Sequence, residues 1–197
     1  MVAAGTGEAL PGRSGLAVPV EERCLITGEE PGSGRGAASG ELVTLDEQDR
    51  GTWDAALIAE GHRLVRERLA AREAPGRYQI LAAISAVHTS ARDALATDWS
   101  QVVALYDQLA RIDPSPVIAF NRAVAVAELD GPEVALAAVD HLEDKLAGYH
   151  AYHATRADLL RRLGRSQKSR AAYGKAIELA GNTAETAYLT RRRDQLG

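Results

Sequence analysis

His150 and His153 stand three residues apart, so on a helix they share a face, with Asp158 and His141 as candidate neighbours. Two histidines and a carboxylate make up a zinc or iron ligand set, provided a third ligand converges and one position stays open. Tyr149 and Tyr152 alternate with the two histidines, and an amphipathic aromatic face accounts for the group without a metal. Asn121-Arg122 and Thr155-Arg156 form a second constellation. A planar arginine fork matches a carboxylate with two parallel hydrogen bonds. Arg122 and Arg156 can therefore clamp an acidic group of a partner or hold a neighbouring acid such as Asp158. The structural role is the stronger reading of the two. His62 and His88 fall in apolar-rich stretches, where an imidazole packs with a single hydrogen bond, and neither has a nucleophile partner. No G-x-S-x-G, Walker or dinucleotide fingerprint occurs; Gly32-Ser33-Gly34-Arg35-Gly36 does not sit between a strand and a helix. These residues predict binding chemistry, with no catalytic residue, no metal and no cofactor.

The elements that must position these residues repeat. Leu129-Asp130-Gly131 recurs as Leu163-Gly164-Arg165 at a step of 34 residues, and the same step pairs Arg122 with Arg156 and Ala123 with Ala157. A step of that length, read as helix, turn, helix, is the tetratricopeptide period. Each such unit has an apolar face it cannot bury alone, so units stack into a solenoid. Local signals agree. Asp98 followed by Gln101, and Asn182 followed by Glu185, resemble capping boxes. Ser115-Pro116 supplies an N-cap and a proline at the first helical position. Pro75-Gly76 and Asp113-Pro114 end helices, and Gly164 suits a left-handed C-terminal cap.

The expected helices span 52–72, 78–90, 99–112, 116–128, 132–144, 149–163, 166–181 and 182 to the end of the chain. The first presents Trp53, Leu57, Gly61, Leu64, Val65 and Leu69 on one face. The fifth buries Val134, Ala135, Ala138, Val139 and Leu142, and Ala157 occupies a small position where helices approach closely. A third, less regular unit spans 78–114, with an insertion around 91–97. The fold class is all-α: antiparallel helix pairs stacked as a short tetratricopeptide-like solenoid. Residues 1–40 hold 9 of the 18 glycines and show no sustained period, which predicts a flexible leader ahead of a helical domain over 41–197.

Composition narrows the partners. Cys24 is the only cysteine, which excludes an intramolecular disulfide and a thiolate metal cluster and fits a reducing cytosol. No apolar run approaches the roughly 18–20 residues of a membrane span, and no secretion signal is evident, so the expected location is cytoplasmic. The net charge of −4 is uneven: residues 155–197 carry 10 basic and 4 acidic groups. Arg161, Arg162, Arg165, Lys168, Arg170 and Arg191-Arg192-Arg193 lack interleaved aromatics for base stacking. At most, this end makes weak, sequence-independent DNA contacts.

Several strings stand out together. They are Leu45-Asp46-Glu47-Gln48-Asp49-Arg50 with Trp53-Asp54, Ala56-Leu57-Ile58-Ala59-Glu60-Gly61, and Tyr78-Gln79 with Ala82-Ala83-Ile84 and Ala86-Val87-His88. Thr97-Asp98-Trp99, Ser115-Pro116-Val117, Asn121-Arg122-Ala123-Val124-Ala125-Val126-Ala127-Glu128 and Ala147-Gly148-Tyr149-His150 follow. His153 and the run from Arg156 to Arg165 complete the set. In this order they resemble the C-terminal extension of bacterial extracytoplasmic-function sigma factors, over roughly 41–197. The resemblance implies a regulatory, non-enzymatic module of transcription initiation. Its partners would be core RNA polymerase or the sigma factor's other domains. Residues 1–40 do not resemble the polymerase-gripping or promoter-reading domains, so the chain alone is not expected to select a promoter. The residues named for partner contact are Asn121, Arg122, His150, His153 and Arg156. A free-standing tetratricopeptide adaptor is the alternative, and a small metalloenzyme built on His150 and His153 is the weakest reading.

Overall fold

The computed structural model describes residues 48–196, and every regular element among them is helical. After a 3₁₀ turn at Arg50–Thr52 come α1 (Ala55–Ala70), α2 (Arg77–Ser90), α3 (Trp99–Ile112) and α4 (Pro116–Leu129). They are followed by α5 (Pro132–Asp140), the short α6 (Glu143–Leu146), α7 (His150–Arg162), α8 (Ser166–Leu179) and α9 (Thr183–Asp194). The proposed leader, its boundary at 41 and Cys24 lie outside the described residues.

The principal contacts run between successive helices, α1 to α2, α2 to α3 and so on, with α5 reaching α7 across the short α6. That nearest-neighbour pattern makes the chain an α-solenoid of antiparallel pairs, as the 34-residue step requires. The pairs are α2 with α3, α4 with α5, and α7 with α8; α9 closes the far end. Helix α4 lies between two cores. Ile118 and Ala125 join Ile80, Ile84, Val102, Tyr106 and Leu109 of α2 and α3. Phe120, Ala123, Val126 and Ala127 join the larger core that runs through α5, α7 and α8 to Tyr188 and Leu189 of α9. Seven of the fourteen residues of α4 are buried, so a change there disturbs both cores.

Local chemistry sets the helix starts. Asp54 Oδ1 accepts from the amides of Ala56 and Leu57, Asp98 Oδ1 from Gln101, Ser115 Oγ from Ile118, and Asn182 Oδ1 from Glu185. Each satisfies amides that have no partner within the first turn. The insertion around 91–97 is a 3₁₀ turn, Ala94–Ala96, capped by Asp93. Gly131 and Gly164 occupy corresponding turns with φ of 93° and 70°, where a side chain would be strained.

The helices of the pair α7–α8 approach where their side chains are small. Ala157 and Ser169 are both fully buried, and the Ser169 hydroxyl donates to the Ala157 carbonyl at 2.7 Å.

Three expectations need correction. The helix expected over 132–144 is two, because the His141 ring donates to the Ala137 carbonyl at 2.6 Å and competes for the acceptor that the backbone needs to continue. Val134 is half exposed; Ala135, Leu136 and Val139 carry the inward face of α5. On α1 the exposed residues include Leu57, Leu64 and Leu69, while Ile58, His62, Val65 and Arg68 are the partly covered ones. The apolar stripe is therefore wider than the side α2 covers, and no residue of α1 is fully buried.

Candidate functional site

Two kinds of polar joint recur along the stack. In the first, an arginine on the leading helix of one pair reaches an aspartate on the trailing helix of the pair before it. Arg122 Nε donates to Asp107 Oδ1 at 2.6 Å, and Arg156 Nε donates to Asp140 Oδ1 at 2.7 Å. The arginine side chains keep 38% and 28% of their exposure, so these joints open onto solvent. Only Nε of each fork is engaged in these two bonds, and a guanidinium carries further N–H donors on its Nη atoms. Asp158, expected beside Arg156, is not its partner. That aspartate points instead to the other side of α7.

The second kind of joint links leading helices to one another. Arg162 donates to Glu128 Oε1 at 2.8 Å and to the Ala127 carbonyl at 3.1 Å, tying α7 to the C-terminal end of α4. There the cation also meets the negative end of the α4 dipole. Arg192 of α9 donates to Asp158 Oδ1 at 3.1 Å. Arg161 adds two bonds to the same oxygen, at 3.0 and 2.8 Å. The Asp158 side chain is only 3% exposed, and two guanidiniums surround it, as a buried carboxylate requires. Its other oxygen, Oδ2, has no protein partner, and neither does Arg192 Nε. Arg192 also lies 6.0 Å from the centre of the Tyr188 ring, a cation–π arrangement. Burial, and then the neighbouring Asp158, raises the Tyr173 hydroxyl above its ordinary pKa.

The five residues expected to contact a partner divide. Arg122 and Arg156 are placed alike, one repeat apart, on the half-exposed joints just described. Asn121 is 7% exposed with its Oδ1 unpartnered, and Thr155 occupies the same repeat position at 4%. Both sit inside the stack. His150 faces Glu185 of α9 at 3.6 Å, whereas His153 donates to the Ala147 carbonyl at 2.8 Å and stands edge-on to Tyr152. His141 is engaged with Ala137. The three imidazoles thus serve three separate contacts and do not converge with Asp158. Among the described residues, no three His, Cys, Asp or Glu side chains are grouped to hold a metal. Tyr152 is fully buried, and burial followed by Glu143 pushes its phenol up to about 12, so it stays neutral.

His88 is buried against Trp99, with ring centroids 5.3 Å apart. Arg50 donates to the carbonyls of His88 and Ala91 at 2.5 and 2.7 Å, capping α2 from the preceding 3₁₀ turn. Its guanidinium also lies 4.9 Å from the Trp53 ring centre. Burial, then the Arg50 charge, lowers the His88 pKa to about 4, which leaves the ring neutral at ordinary pH.

Sequence reasoning missed Glu128, Arg161, Arg162 and Arg192 as joint-forming residues. A signal existed: Glu128 and Arg162 are one 34-residue step apart and opposite in charge, as are Asp158 and Arg192. These joints also engage much of the basic end. Arg165 pairs with Glu133, Arg193 with Asp194, and Lys175 with Glu178, and Arg170 donates to the Leu196 carbonyl. Among the described residues, no helix is long and apolar enough to cross a membrane.

No protein-family model matches the chain. Over 159 residues it is 44% identical to an uncharacterized protein of Rhizobium meliloti (strain 1021), a match that takes in 81% of this chain. The chain spans 37% of that relative's length. Among solved structures, it is similar to the first TPR domain of the human RPAP3 protein, at a TM-score of 0.44 and 22% identity. That alignment covers 50% of this chain and 78% of the other. The first TPR of Spaghetti (RPAP3) bound to an HSP90 peptide aligns at a TM-score of 0.43 and 22% identity, covering 49% and 78%.

Proposed function

We propose that this chain is a non-enzymatic protein-contact module whose partner presents an acidic segment. The observation that carries the reading is the pair of joints Asp107–Arg122 and Asp140–Arg156. They set two partly exposed arginine side chains one repeat apart, each braced through Nε. An arginine held in this way has lost much of its rotamer freedom before a ligand arrives, so less entropy is lost on binding a carboxylate. Two such points along a solenoid select an extended acidic segment over a single ion. The paired basic end supports, at most, a weak sequence-independent contact with DNA that falls steeply with salt.

Fluorescence anisotropy with labelled acidic peptides tests this. The wild-type chain should bind and the Arg122→Ala/Arg156→Ala double variant should lose at least tenfold in affinity. The Asp107→Asn/Asp140→Asn double variant separates binding from architecture, since it loosens the same joints but leaves the arginines. It should bind as well as wild type or better. Equal weakening in both double variants would mean that the arginines serve only the stack.

A second reading places the module in transcription initiation, as the extension of an extracytoplasmic-function sigma factor. It is supported by the ordered strings from Leu45 to Arg165. On this reading the acidic segment belongs to core RNA polymerase or to a sigma-factor domain. Purified chain should then be retained by core polymerase without supporting transcripts. Promoter-specific initiation by this chain and core polymerase alone would overturn it.

A further inference from the structure

Helix α1 is fastened at its two ends and only lightly between them. At its C-terminal end the chain runs through residues 71–76, which form no regular element, into α2. At its N-terminal end the preceding 3₁₀ turn carries Arg50. Its Nη1 donates to the carbonyls of His88 and Ala91, where α2 stops, at 2.5 and 2.7 Å. The same guanidinium lies 4.9 Å from the centre of the Trp53 ring, which fixes it against the chain leading into α1. Midway along the helix, His62 Nε2 lies 2.7 Å from Thr89 Oγ1 of α2. Ile58, His62 and Val65 are partly covered, and no residue of α1 is fully buried.

Charge adds nothing to the attachment of α1 to α2. Arg63 pairs with Glu60 and Glu67 of the same helix, Arg68 pairs with Glu73 just beyond it, and Asp54 caps its first turn. An edge position alone does not produce so loose a fit. Helix α9 closes the other edge, and it buries Tyr188 and Leu189 and donates to Asp158 through Arg192. The connection after α1 is also built to turn. Arg72 has a φ of 54°, in the left-handed region that an L side chain adopts only at a cost, and Gly76 opens α2 without a side-chain capping bond. Movement there releases a strained residue and breaks no cap. In a solenoid each unit is stabilised by its neighbours, and elements with few buried contacts open at the lowest free energy.

We propose that α1 is a hinged arm of the array: it swings away from α2 as a unit about residues 71–76, and Arg50 is the latch that holds its free end shut. Opening uncovers the side of α2 that carries Thr89 and takes Arg50 off the carbonyls of His88 and Ala91. The Arg122 and Arg156 joints lie among α3, α4, α5 and α7, so they stay closed while the arm opens. The proposal does not depend on the reading of those joints.

Amide hydrogen exchange of the full chain at neutral pH, read by mass spectrometry, tests it directly. In wild type the amides of α1 should exchange at least about 100-fold faster than those of α7, yet at least about tenfold slower than an unstructured chain. Arg50→Ala removes two charge-assisted bonds and should speed exchange in α1 at least about tenfold while leaving α7 unchanged. Thr89→Val, which removes the contact midway along the helix, should speed it less. Arg122→Ala, a comparable loss of an arginine elsewhere in the stack, should not affect α1. Protection of α1 equal to that of α7, or exchange in wild-type α1 at the unstructured rate, would overturn the proposal. So would an Arg50→Ala variant that leaves α1 unchanged or speeds every helix equally, or a larger effect from Thr89→Val.

Discussion

Helix α1 at the start of the array contributes no buried residue, whereas α7 near its end contributes six, including the charged Asp158. Both helices carry leucines, Leu57, Leu64 and Leu69 on α1 and Leu159 and Leu160 on α7, so the residue type alone does not separate them. Position does. Helix α7 is met by α5, α8 and the leading helices on either side, while α1 meets principally α2. A solenoid helix acquires its stability from neighbours, and the same residue type is worth different amounts at the middle and at the edge. The far end is closed differently, by α9, which brings Arg192 onto Asp158 and buries Tyr188 and Leu189.

The largest expected effect tests the closed end. Asp158→Ala removes the acceptor shared by Arg161 and Arg192 and should cost about 3–5 kcal/mol in urea unfolding, the range for breaking a buried ion pair from one side. A loss below 1 kcal/mol would show that water already serves these guanidiniums.

The next effect belongs to the opening region. His88 binds its proton at about pH 4 in the folded chain but near 6.5 when unfolded. The unfolded state therefore takes up protons first as pH falls, and stability is lost from about pH 6.5 down to 4. The amplitude is about 3 kcal/mol, from a shift of that size. Comparing urea midpoints of wild type and His88→Phe across that window should show a flatter profile in the variant.

A smaller effect compares the repeated joints. Arg122→Ala and Arg156→Ala should each cost about 0.2–1 kcal/mol, because both pairs are part-exposed and screened. A much larger cost at either position would mean that the joint supports packing in addition to charge. Smallest of all, Leu64→Ala at low protein concentration should leave stability within about 0.5 kcal/mol of wild type. Leu159→Ala, the same chemical change at a fully buried position of α7, should cost about 2–5 kcal/mol. Thermal or urea unfolding of the two variants side by side measures the contrast between edge and interior.

What the sequence made legible follows the range of each interaction. The caps at Asp98, Ser115 and Asn182 and the left-handed turn at Gly164 all act within a few residues, and the structure has them where the spacing predicts. The 34-residue step identified the fold because every unit must match its neighbour. Less legible were features decided by competition or by distant pairing. The break at His141 depends on a ring donating to the Ala137 carbonyl, which apolar periodicity does not register. Arg156 had a nearby acid in Asp158 and chose Asp140, sixteen residues away, because α7 turns Asp158 toward α9. The apolar stripe of α1 was evident, but how much of it α2 would cover was not.

The charged joints between leading helices also restrict how such an array can grow. Glu128 meets the residue at its own position one unit later, Arg162, and Asp158 likewise meets Arg192. A tandem duplication of the 34-residue unit from 149 to 182 would bring each of these positions against a copy of itself, arginine facing arginine and aspartate facing aspartate. Gene duplication, the ordinary route by which repeat proteins lengthen, is thus penalised at this junction. Any added unit would need compensating changes of sign before it could be stacked.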